Sequence, residues 1–277
     1  MKKLLFTTIS GLLAILATPL FATNTPMVFD FGLSGTGSGN TYGGSLVSGY
    51  TNQYSSFSDT VGGVTATITA WSTVDNTAGS KFSSSASVIG QYSGGNGLGV
   101  CSPADGTIAA CNGTAPQHQI DNTGAFEFLL IQFSSAVDLN SVLLKNFSST
   151  VDMDLTYWTS TSSTALTSGT DGPGSLPAGF SGPTSIDCGG SGQPACAAGG
   201  LTDTFTANKT GVKSLLVGTS SANADGIADA FKLSQVSATL SNPTATPEPA
   251  TFGMIGLALL GLGGTQWRKR RNAQAKV

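Results

Sequence analysis

The side chains best suited to binding a ligand lie within ten residues of one another, from His118 to Glu127. Besides the imidazole, this group contains the carboxylates of Asp121 and Glu127 and the amide of Asn122. Such a set can hold a cation or hydrogen-bond the hydroxyls of a sugar. A structural alternative stays open, in which Asp121 and Asn122 cap a turn and His118 bonds to backbone.

A second group of oxygen-bearing side chains surrounds a glycine turn and consists of Asn223, Asp225 and Asp229. Alternating oxygen ligands in such a turn can bind calcium, and a structural calcium ion is the only cofactor that the sequence suggests. The spacing lacks the terminal glutamate of an EF-hand loop. An ordinary Asn/Asp-Gly turn accounts for the pattern equally well.

Catalytic groups are scarce, and we therefore expect a protein that is not an enzyme. The chain has a single histidine, and no Gly-x-Ser-x-Gly motif links a strand to a helix. Glycoside hydrolysis needs two carboxyl groups, and Glu127 is the only glutamate between residues 23 and 247. A hydrolase would have to pair it with an aspartate, which keeps that function as a remote alternative.

Short strands must position these residues, because the apolar pattern repeats every two residues. Val64–Trp71 alternates small apolar side chains with threonines, and Phe126–Phe133 is nearly all apolar, as in a strand with both faces covered. Turns rich in Gly, Asn and Ser separate the segments. The pattern predicts an all-β fold, an antiparallel β-sandwich of jelly-roll type. Further strands are expected near 27–33, 137–139, 142–144, 152–158, 201–207, 212–217 and 227–240.

The chain divides into three parts. Residues 1–22 combine two lysines, an apolar core and a small residue, Ala22, as in a cleaved secretory signal peptide. Residues 23–242 form the predicted β-sandwich ectodomain, in which 159–200 is a low-complexity surface loop. Residues 243–277 form the tail.

The four cysteines pair locally in the prediction, Cys101 with Cys111 and Cys188 with Cys196, because an even count in an exported chain favours disulfides.

The charge of the body excludes one class of partner. Between residues 23 and 247 there are five lysines, no arginine and fourteen acidic residues, a net charge of −9. A body without a basic patch cannot neutralise phosphates, so nucleic-acid binding is not expected. A surface rich in Ser, Thr and Gly suits an extracellular protein.

The tail has three components in a fixed order. Pro247, Glu248 and Pro249 give a stiff extended segment, and an uncharged run follows over about 252–267. As a helix this run would span about 24 Å, less than the ~30 Å hydrocarbon core, which favours a transient membrane segment. Four cations close it on the cytoplasmic side, namely Arg268, Lys269, Arg270 and Arg271.

This order of segments resembles the PEP-CTERM sorting signal of exported proteins in Gram-negative bacteria. The resemblance implies recognition by exosortase, a membrane-embedded processing enzyme, with cleavage near Pro247–Pro249. It also implies export through the inner membrane, transient anchoring by the C-terminal helix, and then a cell-surface or extracellular location. The stretch from Gly97 to Glu127 more loosely resembles a segment that recurs in such proteins, and no activity follows from it.

Three functions are compatible with the sequence. The leading expectation is a non-enzymatic surface protein associated with extracellular polysaccharide or biofilm matrix. The first alternative is a carbohydrate-binding module, which needs aromatic side chains on a sheet face or rim, and Trp158 is a candidate. The second alternative is the glycoside hydrolase considered above.

Overall fold

The computed structural model describes residues 25–32, 41–50, 52–91, 96–107, 111, 119–145, 153–186, 200–219 and 229–241. These residues form strands, turns and one 3-10 turn at Pro103–Asp105, within a compact unit that spans Thr25–Ser241. The described part of the chain contains thirteen strands: β1 Met27–Asp30, β2 Thr41–Leu46, β3 Gln53–Val61, β4 Val64–Ser72, β5 Val88–Gln91, β6 Leu98–Cys101, β7 Ile120–Asp121, β8 Glu127–Lys145, β9 Leu155–Ser160, β10 Phe180–Ile186, β11 Leu201–Thr204, β12 Val212–Thr219 and β13 Ala230–Leu240.

The strands pair in an antiparallel manner and close on themselves. The order β13-β6-β5-β3-β4-β8 returns to β13 through a direct β8–β13 pairing, which makes a closed six-stranded barrel. Beyond the barrel, β12, β9 and β10 extend the sheet from β8. Strands β1 and β7 pair with β13, β2 pairs with β3, and β11 pairs with β8.

Strand β8 joins the barrel to this extension. Its first half pairs with β4 on one side and β12 on the other, whereas its second half pairs with β13 and β11. Between the halves lie three small residues, Ser134, Ser135 and Ala136, none of which is buried. Register shifts in β12 and β13, of the kind that β-bulges produce, accompany the change of partners.

Two apolar cores lie on opposite faces of the first half of β8. Leu129, Ile131 and Phe133 enter the main core, which fills the barrel and continues under β9 and β12. Phe128 and Leu130 enter a second, smaller core. Because both faces are covered, the strand is apolar at successive positions instead of alternating.

Strand β9 divides its side chains between the same two cores. Leu155 and Tyr157 face the main core, and Trp158 faces the second core, where its ring meets Phe128 at a centroid distance of 5.9 Å. Phe82 completes this aromatic group from the segment after β4. The alternation of β9 therefore directs Trp158 away from the barrel interior.

The predicted all-β, antiparallel fold is confirmed. The strand order gives one continuous sheet closed over six strands, so the jelly-roll arrangement is not confirmed. The three strands expected over 126–144 are one long strand, β8, because the intervening residues do not interrupt it and Val137 pairs with both β12 and β13. Strand β10 lies inside the stretch 159–200 that was expected to be a loop, and most of its residues are exposed.

Several predicted features lie outside the described residues. These are the signal peptide at 1–22, the tail from 243 with its apolar run, and the Cys188–Cys196 pair. The described ranges contain no helix that could cross a bilayer. The Cys101–Cys111 disulfide is present, as predicted.

Candidate functional site

Asp121 and Glu127 lie together at the two ends of a short turn. Asp121 ends β7 and Glu127 begins β8, and the Asp121 backbone N–H donates to Glu127 Oε2 over 3.1 Å. Asp121 Oδ1 accepts the N–H of Thr123 at 2.8 Å, which closes the turn. The two carboxyl residues singled out in the sequence are thus neighbours in the structure. Both are buried, with 2% and 1% of their surface exposed.

A third acidic residue adds its charge to this pair. Asp105 closes the 3-10 turn after β6, where its Oδ2 accepts the Ser102 N–H at 2.9 Å and the Ser102 hydroxyl at 3.1 Å. Its carboxylate also lies within 4.8 Å of the sulfurs of Cys101 and Cys111. Because these sulfurs form a disulfide, they are not available as thiolate metal ligands.

Burial controls the protonation of the pair. It raises the pKa of Asp121 from 3.8 to about 7, and the negative charge of Asp105 adds to the increase. Burial also raises the pKa of Glu127 well above its ordinary value, and the charges of Asp121 and Asp105 raise it further. Two coupled carboxyl groups of this kind retain a proton near neutral pH. We refer to Asp105, Asp121 and Glu127 as the carboxyl cluster.

Of the other predicted polar ligand residues, two lie in this region and three lie outside the described residues. Asn122 Nδ2 donates to Asp229 Oδ2 at 2.8 Å, so these two predicted residues are brought together next to the carboxyl cluster. Ala230 pairs with Asp121 across β13 and β7, which explains the proximity. His118, Asn223 and Asp225 lie outside the described residues, and the predicted calcium set is therefore untested.

A concave site of about 310 Å³ lies elsewhere on the sheet, beside the second core. We call it the Trp158 cleft. Trp158 and Phe126 contribute apolar surface, and Pro173 and Pro183 contribute two further apolar walls. Trp158 is 6% exposed, so it forms part of the lining and not a freely accessible platform.

Hydroxyl groups surround the apolar part of the Trp158 cleft. Thr156 of β9 and Ser185 of β10 are direct cross-strand partners, and their hydroxyl oxygens lie 3.2 Å apart. On another side, Thr77 and Ser80 line the cleft from the loop after β4. None of the described residues that line the cleft carries an ionisable side chain.

The loop that bears Thr77 and Ser80 is held by its own hydrogen bonds. Asp75 Oδ1 accepts the Thr77 N–H at 3.0 Å and the Thr77 hydroxyl at 2.5 Å. The Ser80 N–H donates to the Thr77 carbonyl at 3.0 Å, and the Ser80 hydroxyl accepts the Asp75 N–H at 3.3 Å. The bonds from Thr77 are the main reason that the pKa of Asp75 is lowered.

The sequence identified Trp158 as a candidate, but it did not identify the rest of the cleft. Thr156 and Ser185 are ordinary hydroxyl residues until β9 and β10 pair. Thr77 and Ser80 were also missed, although the Asp75-Asn76-Thr77 sequence is typical of an Asx turn. The cleft forms from segments that are distant in sequence, which local spacing does not predict.

Comparison with known proteins identifies the tail. Residues 245–271 match the PEP-CTERM protein-sorting motif, which confirms the resemblance found in the sequence. The chain therefore carries a PEP-CTERM sorting motif, and the motif implies export, processing by an exosortase-type enzyme, and a cell-surface or extracellular location. No curated protein and no solved structure matches the chain.

Proposed function

We propose that this protein is a non-enzymatic component of the extracellular polysaccharide or biofilm matrix, released to that location after processing of its tail. The sorting motif at residues 245–271 is the observation that carries the proposal. The acidic, hydroxyl-rich body supports it, since few charges and many Ser and Thr side chains suit contact with hydrated polysaccharide. The apolar run over 252–267 serves as a temporary membrane segment while exosortase acts.

The positions of the carboxyl groups support a non-enzymatic role. Glycoside hydrolysis requires two carboxyl groups on either side of the scissile bond. Asp121 and Glu127 are instead buried and hydrogen-bonded within one turn. The described lining of the Trp158 cleft contains no carboxyl group. A hydrolase is therefore the least supported of the three functions.

Carbohydrate binding is the second candidate, and the Trp158 cleft favours it. The cleft combines aromatic surface with hydroxyl groups in a volume at the lower end of the ~300–1,000 Å³ typical of small-molecule sites. A matrix protein with such a site would hold polysaccharide directly. The two candidate functions are compatible, since the first concerns where the protein is located and the second concerns its contact with a carbohydrate.

Mass spectrometry of the protein recovered from its native host tests the processing step. We expect a C-terminus near Pro247–Pro249 and recovery of the protein in the matrix fraction. Replacing Pro247, Glu248 and Pro249 by alanine should leave the tail intact and retain the protein in the membrane fraction. Pro243→Ala is the matched control, because Pro243 lies outside the matched motif. An unmodified terminus at Val277 in the mature protein would refute the proposal.

A further inference from the structure

We propose that the Trp158 cleft binds a short, uncharged segment of a glycan. The proposal rests on the proposed association with polysaccharide and adds the charge and the length of the glycan segment that the cleft accepts. Four properties of the cleft support this assignment: its apolar lining, its hydroxyl groups, the absence of charge in its described lining, and its size.

The apolar lining of the cleft, in which Pro173 and Pro183 adjoin the small exposed parts of Trp158 and Phe126, can contact one face of a sugar ring. The ring of Trp158 packs against that of Phe128, which holds it in place, and Phe126 lies in the same core. Gly182 allows β10 to approach closely, since a Cβ at this position would lie 2.9 Å from Trp158 Cδ1. The aromatic surface is thus fixed before any ligand arrives, which lowers the entropic cost of binding.

The hydroxyl groups fit the polar edge of the same ring. Hydroxyls both donate and accept hydrogen bonds, so they match sugar hydroxyls in either sense. Thr156 and Ser185 present a pair from adjacent strands, whereas Thr77 and Ser80 belong to the hydrogen-bonded loop. The Thr77 hydroxyl already donates to Asp75, which leaves its oxygen as an acceptor for the ligand.

The charges around the cleft favour a neutral ligand over an acidic one. A uronate or sulfated glycan would require cations to compensate its own charge. No such group lines the cleft among its described residues, and Asp75 beside Thr77 is held ionised by hydrogen bonds. The Lys81 ammonium, from the residue after Ser80, donates to the Ser175 hydroxyl and is not among the groups that line the cleft. An acidic sugar would therefore find no cation in the described lining to compensate its charge.

The dimensions of the site limit the length of the ligand. A volume of about 310 Å³ accommodates a short segment of a chain and not an extended run of sugars. The pairing of β9 with β10 and the hydrogen-bonded loop at Thr77 and Ser80 restrict its expansion. We therefore expect the affinity to stop increasing after the first few sugar units.

The test is titration calorimetry on the mature protein purified from its exporting host. The probes are gluco- and manno-oligosaccharides of increasing length, with oligogalacturonates as acidic counterparts. Thr156→Val removes a hydroxyl without changing the shape of the side chain, and should weaken binding about five- to tenfold through the loss of one hydrogen bond. Thr65→Val is the matched control, because its hydroxyl also pairs with a neighbouring strand, 2.8 Å from that of Thr60, outside the cleft.

Each outcome bears on the cleft separately from the proposed function. Neutral oligosaccharide binding that weakens in Thr156→Val and not in Thr65→Val supports the proposal. Absence of neutral binding, preference for the acidic probes, or equal affinity of both variants overturns it. If Thr156→Val still enters the matrix normally, the matrix function stands without this cleft. If the purified protein binds neutral sugars but is absent from the matrix fraction, the cleft stands and the proposed function fails.

Discussion

Replacing Asp121 by Asn should remove a large part of the dependence of stability on pH. The side chain is buried next to Glu127, and its Oδ1 accepts the N–H of Thr123. Asparagine keeps this oxygen and nearly the same shape, but it cannot acquire a negative charge. The substitution therefore tests the cost of charging this position with little change in packing.

The expected magnitude follows from the pKa of Asp121, which burial raises from 3.8 to about 7. Because the folded pKa is the higher one, the folded state binds the proton more tightly than the unfolded state does. The stabilisation is complete below pH 3.8 and is lost as the pH rises towards 7. At about 1.4 kcal/mol per pKa unit, the loss is of the order of 4 kcal/mol. Above pH 7, Asp121→Asn should exceed the wild-type protein in stability by up to this amount.

Urea unfolding of the mature protein, followed by tryptophan fluorescence between pH 4 and 8.5, measures the effect. Asp75→Asn is a matched control, since Asp75 also accepts the N–H of the residue two positions ahead but is exposed. The pKa of Asp75 is lowered, mainly by its hydrogen bond from the Thr77 hydroxyl. This carboxylate therefore stabilises the protein above pH 3.8, and the benefit disappears as the pH falls through its folded pKa. Between pH 4 and 8.5, Asp75→Asn should therefore lower stability by a nearly constant amount, whereas Asp121→Asn should change the dependence of stability on pH.

One result would refute this reasoning directly. If the wild-type protein and Asp121→Asn had parallel stability profiles from pH 4 to 7.5, Asp121 would not be the group that binds the proton. Glu127→Gln provides a second measurement, because the pKa of Glu127 is also raised by burial and by the charge of Asp121. The double variant should show less than the sum of the two single effects, since each charge contributes to the cost of the other.

Three further predictions concern the framework. Gly218→Ala should lower stability by about 1–3 kcal/mol or more, measured as a reduced Tm, because its methyl group would overlap a backbone carbonyl of β8. Tyr157→Phe should cost about 1–3 kcal/mol in chemical denaturation, since the Tyr157 hydroxyl bonds both the C=O and the N–H of Ala207. Unchanged stability in either variant would contradict its proposed contact. Replacing Cys101 and Cys111 together by serine should lower the free energy of unfolding by about 2–3 kcal/mol, because the disulfide closes a loop of ten residues. If thiol labelling of the wild-type protein were equal before and after reduction, the disulfide would not be formed.

Strands with strong local patterns were predictable, and strands defined by their partners were not. The alternation over Val64–Trp71 predicts a strand, and β4 forms there. Strand β3, Gln53–Val61, contains several serines and is not predicted by its own pattern, although β2, β4 and β5 all pair with it. Strand β10, at Phe180–Ile186, was missed because it is largely exposed and has little apolar pattern. Pairing with a stable neighbour can form a strand that its own residues do not favour.

The sequence alone determined the destination and the class of fold. The sorting tail is recognised as a contiguous segment, and a two-residue apolar period is a local property of each strand. Only the tertiary structure decided what the polar residues do. Closing the sheet buries Asp121 and Glu127 together, and pairing β9 with β10 sets Thr156 beside Ser185. The burial of the two carboxyl groups and the convergence of the cleft residues both depend on segments that are distant along the chain. The spacing of these residues in the sequence therefore cannot reveal the raised pKa values or the cleft.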